Sequence, residues 1–201
     1  MRAGSGDARK NVSWRFALSS AVVLFLFAAC GFYSSQFYAD QGYRANFVGV
    51  PFALLCGALY VRKTSELPAI LVIACVWMCA RFAAVFTNMA MTIDHANFLS
   101  MGMGGLIGGF GVAMAVGIAR PNIRSRWKLI TAAVIGLLAA LPFEPWLSAR
   151  KFGLYDSPAL TPAQEAALQY PFAVWQAAVG TYVYGASRVA RERPNRDVLL
   201  H

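Results

Sequence analysis

Six long apolar stretches are the feature that most constrains what this chain can fold into. They occupy the approximate ranges 13–34, 46–61, 67–91, 98–119, 127–147 and 166–189. Most of them have the roughly 17–25 residues that an α-helix needs to cross a ~30 Å hydrocarbon layer, and the second is the shortest. This pattern predicts an all-α integral membrane protein, a bundle of about six transmembrane helices.

The composition argues against a soluble domain. Of the 201 residues, 58% are hydrophobic and 13% are charged, whereas soluble domains carry roughly 25% charged residues. Six spanning helices of about 20 residues each leave little chain for a separate soluble core. We therefore expect a single polytopic membrane domain over residues 1–201.

The basic residues are divided unequally between alternate connections. Fourteen of the 18 Lys and Arg residues fall in the two tails and in the second and fourth connections. The other connections hold only Arg44, Arg150 and Lys151. Since cytoplasmic loops are enriched in Lys and Arg, this bias predicts that both termini are cytoplasmic, and it resembles that of a bacterial inner-membrane protein. The net charge of +9 then reflects topology, and no nucleic-acid partner is expected.

The first stretch allows a second interpretation. A basic N-terminal region, an apolar run and the segment Phe27–Gly31 resemble a bacterial lipoprotein signal, in which the lipidated residue would be Cys30. Such signals carry Leu where this chain has Phe27, and their apolar core is shorter than a spanning helix. We therefore favour an uncleaved first helix, with cleavage before Cys30 and five remaining helices as the alternative.

Arg81 is a charged residue inside a predicted span. It lies about 14 residues from the start of the third stretch, or about 20 Å into the layer at 1.5 Å per residue. A charge at this depth is costly and marks a functional site or a buried pair. We expect an ion pair with Glu144, with Asp40 and Asp94 as alternative partners. Snorkelling to the outer surface and a ligand- or ion-binding role stay open.

Gln176 is a second polar group at membrane depth, about one turn beyond Pro171, and Asn88 is another near the membrane edge. A lone amide in a transmembrane helix more often hydrogen-bonds to a neighbouring helix than to a substrate. We therefore expect a buried contact for Gln176, with ligand binding as the alternative.

The fourth stretch is rich in glycine and contains two Gly-x-x-x-Gly pairs, Gly104–Gly108 and Gly105–Gly109. Small residues four apart let helices approach closely in lipid. The pairs predict a tight helix contact, whose partner is another helix of this chain, a second copy or another membrane subunit. A phosphate-binding loop is disfavoured because no strand precedes the glycines and no Lys-Ser/Thr follows.

Catalytic motifs are scarce. The chain has two histidines, His95 and His201, and four cysteines that lie in apolar runs without a Cys-x-x-Cys pattern. Neither a buried bis-histidine haem nor a zinc site is indicated, so we expect no cofactor, no metal and no catalytic residue. The favoured function is a small transporter or channel, or a non-catalytic membrane subunit.

The alternative function is a membrane enzyme that acts at the periplasmic face on a lipid-linked or amphipathic substrate. The predicted topology places several polar residues on that side, and His95 beside Asp94 would form an acid–base pair. The residues concerned are Asp40, Arg44, Asp94, His95, Glu144 and Arg150.

Overall fold

The computed structural model describes residues 19–34, 47, 49–90, 96–141 and 162–188. This part of the chain contains six α-helices and no strand, so the expected all-helical bundle is confirmed. The helices are α1 (Ser19–Ser34), α2 (Gly49–Tyr60), α3 (Pro68–Ala90), α4 (Ala96–Ala119), α5 (Arg126–Ala140) and α6 (Pro162–Arg188). Two short 3₁₀ helices, Thr64–Glu66 and Pro121–Arg124, connect α2 to α3 and α4 to α5.

Consecutive helices run in opposite directions. Gly49 at the start of α2 lies against Trp77 of α3, whereas Gly57 near the end of α2 lies against Ile70 at the start of α3. The later pairs show the same inverse order: Val76–Gly111 and Ala84–Gly104 join α3 to α4, Ala132–Gly109 and Ala140–Gly105 join α5 to α4, and Lys128–Ala186 and Gly136–Trp175 join α5 to α6.

Helix α1 packs antiparallel to α6, which closes the bundle. Ser34 at the end of α1 contacts Gln176, whereas Ser19 at its start contacts Arg188 at the end of α6. The alternation gathers four chain segments at one end of the molecule. We call this the basic end; it consists of Ser19, residues 61–67, residues 120–128 and residues 186–188.

Hydrogen bonds hold the basic end together. Lys128 Nζ donates to the carbonyl oxygens of Asn122 at 3.1 Å and Ala186 at 2.9 Å. Asn122 Nδ2 donates to the Ser187 carbonyl at 3.0 Å, and Tyr182 Oη donates to the Lys128 carbonyl at 3.0 Å. These bonds satisfy carbonyls in the last turn of α6 that have no partner within the helix, and they fix α5 against α6.

An aromatic cluster fills the core where α1, α2, α3 and α6 meet. The Phe52 ring centroid lies 5.3 Å from that of Phe27, 6.0 Å from that of Trp175 and 6.3 Å from that of Trp77. Trp77 and Trp175 meet edge to face with their centroids 4.9 Å apart. These separations lie in the range of favourable ring contacts. Phe27 and Phe52 are completely buried.

The outer surface of the helices is apolar. Along α4, exposed side chains recur every three or four residues and form one stripe: Leu99, Met103, Leu106, Phe110 and Met114. Two segments, Thr64–Ala84 and Leu99–Ala119, are long and apolar enough to cross a membrane by length and composition, and α1 and α2 are apolar but shorter.

Candidate functional site

The most notable polar contact in the bundle interior joins α1 to α6. Gln176 and Ser34 are both completely buried, and Gln176 Nε2 lies 3.2 Å from Ser34 Oγ. The Gln176 Oε1 atom has no hydrogen-bond partner among the described residues. An unpaired buried acceptor costs about 1–3 kcal/mol, so this oxygen lowers the net stability that the Gln176 contact contributes.

The α3 side of this region supplies a buried donor. Trp77 Nε1 has no partner within the described residues, whereas the neighbouring Trp175 Nε1 donates to the Gly136 carbonyl at 3.1 Å. Trp77 stacks on Phe172, which lies one turn before Gln176 on α6. Trp77 thus meets α6 at Phe172 and Trp175, next to the position where Gln176 contacts Ser34 of α1. We call Ser34, Trp77 and Gln176 the polar layer.

Arg81 lies one helical turn beyond Trp77 on α3. It is half-buried and lies about 20 Å along α3 from Pro68, at 1.5 Å per residue. Its expected partner Glu144 lies outside the described residues, as do Asp40 and Asp94, so the ion pair stays a prediction. Among the predicted site residues, Arg81 is thus the one that shares α3 with Trp77.

Gly105 and Gly109 face α5. A Cβ atom at Gly105 would meet the carbonyl oxygen of Gly136 and the Cβ of Ala140, and one at Gly109 would meet the carbonyl oxygen of Ala132. Backbone atoms therefore touch across this interface, which only glycine permits. Gly136 is the glycine on α5 that completes the contact.

Gly104 and Gly108 face helices other than α5. A Cβ at Gly104 would lie 3.1 Å from the Ala80 carbonyl oxygen of α3, and one at Gly108 would lie 2.8 Å from the Trp175 ring of α6. The two Gly-x-x-x-Gly pairs thus meet three helices of this chain, α3, α5 and α6. A second chain would have to displace these helices to use the same glycines.

Sequence reasoning missed Trp77, Trp175 and Gly136. Two signals were present: both tryptophans stand inside predicted spans rather than at their edges, where an interfacial belt would place them, and Gly136 is the single glycine of α5. Neither signal identifies the neighbour, because one helix sequence does not show which helix it packs against.

Several predicted features fall outside what the structure describes. The side chain of Asn88 and all of Arg44, His95 and Arg150 belong to this group. Cys30 lies inside α1, three residues after the completely buried Phe27. Cleavage before Cys30 would therefore remove Phe27 from the aromatic cluster.

Comparison with known proteins leaves the function to be inferred from the chain itself. No protein-family model, curated protein or solved structure matches it. The basis for a functional proposal is therefore the polar layer, the basic end and the apolar outer surface.

Proposed function

We propose that the chain is a multi-pass protein of the bacterial inner membrane, that both termini are cytoplasmic, and that its role is non-catalytic, as a small transporter or channel or as a membrane subunit. The apolar outer surface carries this proposal. Phe25 and Leu71 are each 70% exposed, and burying such a side chain gains about 1.5–3 kcal/mol relative to water. In a lipid bilayer, the exposed apolar side chains of all the helices are removed from water, so the free-energy cost of exposing them does not arise.

The distribution of charge supports the orientation. Among the described residues, every Lys and Arg other than Arg81 lies at or beside the basic end: Arg62, Lys63, Arg120, Arg124, Arg126, Lys128 and Arg188. Cytoplasmic loops are enriched in basic residues, so the proposal places the basic end at the cytoplasmic surface. The opposite end, where α3 ends and α4 begins, then faces the periplasm.

The polar layer favours a transporter or channel over a purely structural subunit. Gln176 Oε1 and Trp77 Nε1 have no partner among the described residues. Arg81 lies one turn from Trp77 on α3, and an ionisable residue within a transmembrane segment marks a solute or ion pathway by default. The bilayer is the required partner in either case. A second copy or another subunit would meet α4 on its exposed stripe, because the described glycine contacts of α4 are already made within the chain.

Membrane integration and orientation are tested together. After cell lysis, membranes are washed with alkaline carbonate, and reporters active on one side only are fused after Arg188 and, separately, within the α2–α3 connection at Ser65. The proposal expects the protein to stay in the membrane pellet and both fusions to report a cytoplasmic location. Release into the wash overturns the membrane proposal, and a periplasmic signal at either position overturns the orientation.

A further inference from the structure

An open groove runs along the outer side of α6 near the basic end. Its volume is about 560 Å³, within the roughly 300–1,000 Å³ typical of small-molecule sites. Leu24 of α1 forms one wall and Lys128 of α5 closes the other side. The floor is α6, from Ala177 to Ala186.

Small residues keep the groove open. Ala177, Thr181 and Gly185 follow one another at intervals of four on α6 and line its floor, which places them along one face of the helix. A Cβ atom added at Gly185 would meet nothing within 4 Å. At Gly109, by contrast, it would meet the backbone of α5. The space beside Gly185 is therefore unfilled by the neighbouring helices.

The two ends of the groove differ in polarity. At the basic end, Lys128 Nζ donates to two carbonyl oxygens, and an ammonium group has three hydrogens to donate. The Thr181 hydroxyl lies midway along the floor, where it is buried and has no partner among the described residues. Towards Ala177, about 13 Å away along α6 at 1.5 Å per residue, the walls are aliphatic. The Lys128 ammonium group thus lies at one end of an otherwise apolar groove.

We propose that this groove binds one anionic phospholipid, with the phosphate headgroup at Lys128 beside Ala186 and an acyl chain along the floor from Gly185 to Ala177. The proposal rests on the membrane location proposed above. Basic pockets between transmembrane helices on the cytoplasmic side suit anionic headgroups, and an ammonium group binds phosphate as a point charge. A neutral apolar ligand would make no ionic contact with Lys128, and a free anion would make no contact with the aliphatic walls.

Competition between two lipids tests the headgroup contact. The purified, delipidated protein is mixed with equal amounts of phosphatidylglycerol and phosphatidylcholine of identical chains, and retained lipid is counted by native mass spectrometry. The wild type is expected to retain phosphatidylglycerol preferentially. Lys128→Met is expected to lower that preference about tenfold, the effect of losing one direct hydrogen bond to a charged group. Arg126→Met, which removes an exposed charge at the same end, is the matched control and should keep the preference.

A second variant tests the groove itself. Gly185→Leu fills open space and improves helix propensity, so it should fold and should lower the retention of both lipids. Met114→Phe, on the exposed stripe of α4, is the control for an added apolar side chain and should bind as the wild type does. If Lys128→Met fails to fold because it loses its bonds to Asn122 and Ala186, Gly185→Leu carries the test alone.

Three results would overturn the lipid site: equal retention of both lipids by the wild type, an equal effect of Arg126→Met and Lys128→Met, or unchanged binding by Gly185→Leu. The carbonate wash separates this failure from failure of the membrane proposal. A chain that stays in the membrane pellet without lipid preference contradicts the lipid site alone, and a chain that is washed out contradicts both.

Discussion

At the scale of single residues, glycine decides how closely α4 and α5 approach. Gly109 lies against the Ala132 carbonyl, and Gly105 lies against Gly136. The sequence predicted that the Gly-x-x-x-Gly pairs pack tightly, because their spacing is a property of one helix. It did not identify Gly136 or Ala132 as the other side, because that depends on how α5 is rotated in the bundle.

Replacing Gly109 by alanine should destabilise the protein. The new Cβ would meet a backbone carbonyl that cannot move aside without shifting α5, and overpacking of this kind costs about 1–3 kcal/mol. Gly185→Ala is the matched control, since its Cβ enters open space. Thermal melting followed by size-exclusion chromatography in detergent should show a lower melting temperature for Gly109→Ala only. Equal melting of the two variants would contradict the interface.

The hydrogen bond between Gln176 and Ser34 should be weak. Interhelical hydrogen bonds in membrane proteins average about 0.6 kcal/mol and reach about 1.7 kcal/mol, and Gln176 also leaves one acceptor unpaired. A double-mutant cycle of Gln176→Leu and Ser34→Ala, measured by unfolding in mixed micelles, should therefore give a coupling below about 2 kcal/mol. A larger coupling would make Gln176 a main structural contact and weaken its assignment to a transport pathway.

At the scale of helices, the predicted bounds of α3 and α4 agree with the structure. The length of an apolar stretch can be read from one continuous segment of the sequence. The predicted range 67–91 compares with Pro68–Ala90 for α3, and 98–119 with Ala96–Ala119 for α4. Helix α2 has 12 residues, a rise of about 18 Å, so within Gly49–Tyr60 it falls short of a full span. The predicted start of this stretch, residue 46, lies outside the described residues.

An arginine on the exposed stripe of α4 should impair membrane insertion. Phe110 lies near the middle of α4 and is 43% exposed, and Arg at the centre of a spanning helix costs about 2.5–3.5 kcal/mol. Trp127→Arg is the control, because Trp127 is 77% exposed at the basic end, where a cation meets water. Membrane-inserted protein, quantified after carbonate washing, should fall for Phe110→Arg and not for Trp127→Arg. Equal yields would show that α4 does not face lipid.

Arg81 and Glu144 should behave as a coupled pair between α3 and the chain beyond α5. Breaking a buried pair leaves one charge without compensation, which costs about 3–5 kcal/mol, so Arg81→Gln and Glu144→Gln should each destabilise and the double variant should cost less than their sum. Melting temperatures of the three variants give the coupling. Additive losses would exclude Glu144, and the same cycle with Asp40 or Asp94 then tests the alternatives.

At the scale of the whole molecule, two features stand out in the described part of the chain. Its outer surface is apolar around contacts made by small residues, and every Lys and Arg except Arg81 lies at or beside the basic end. The charge asymmetry was predictable, because the basic residues are concentrated in the tails and in every second connection. The aromatic cluster and the polar layer were not, because Phe52, Trp77 and Trp175 come from separate helices whose neighbours no local pattern specifies. The groove beside α6 likewise arises from the spacing of α1 and α5, which no single segment encodes.

We propose that lipid covers the exposed apolar surface, and two native thiols provide a test. Cys75 and Cys79 lie exposed on the surface of α3, so water would reach both if the fold stood in solution. Membranes are treated with a charged, membrane-impermeant maleimide, with SDS-denatured protein as the control for full labelling. We expect Cys75 and Cys79 to stay unmodified in the intact membrane and to react after denaturation. A cysteine introduced at the exposed Ser65 should react in inside-out vesicles. Rapid modification of Cys75 and Cys79 in intact membranes, without SDS, would contradict the proposal that lipid covers this surface.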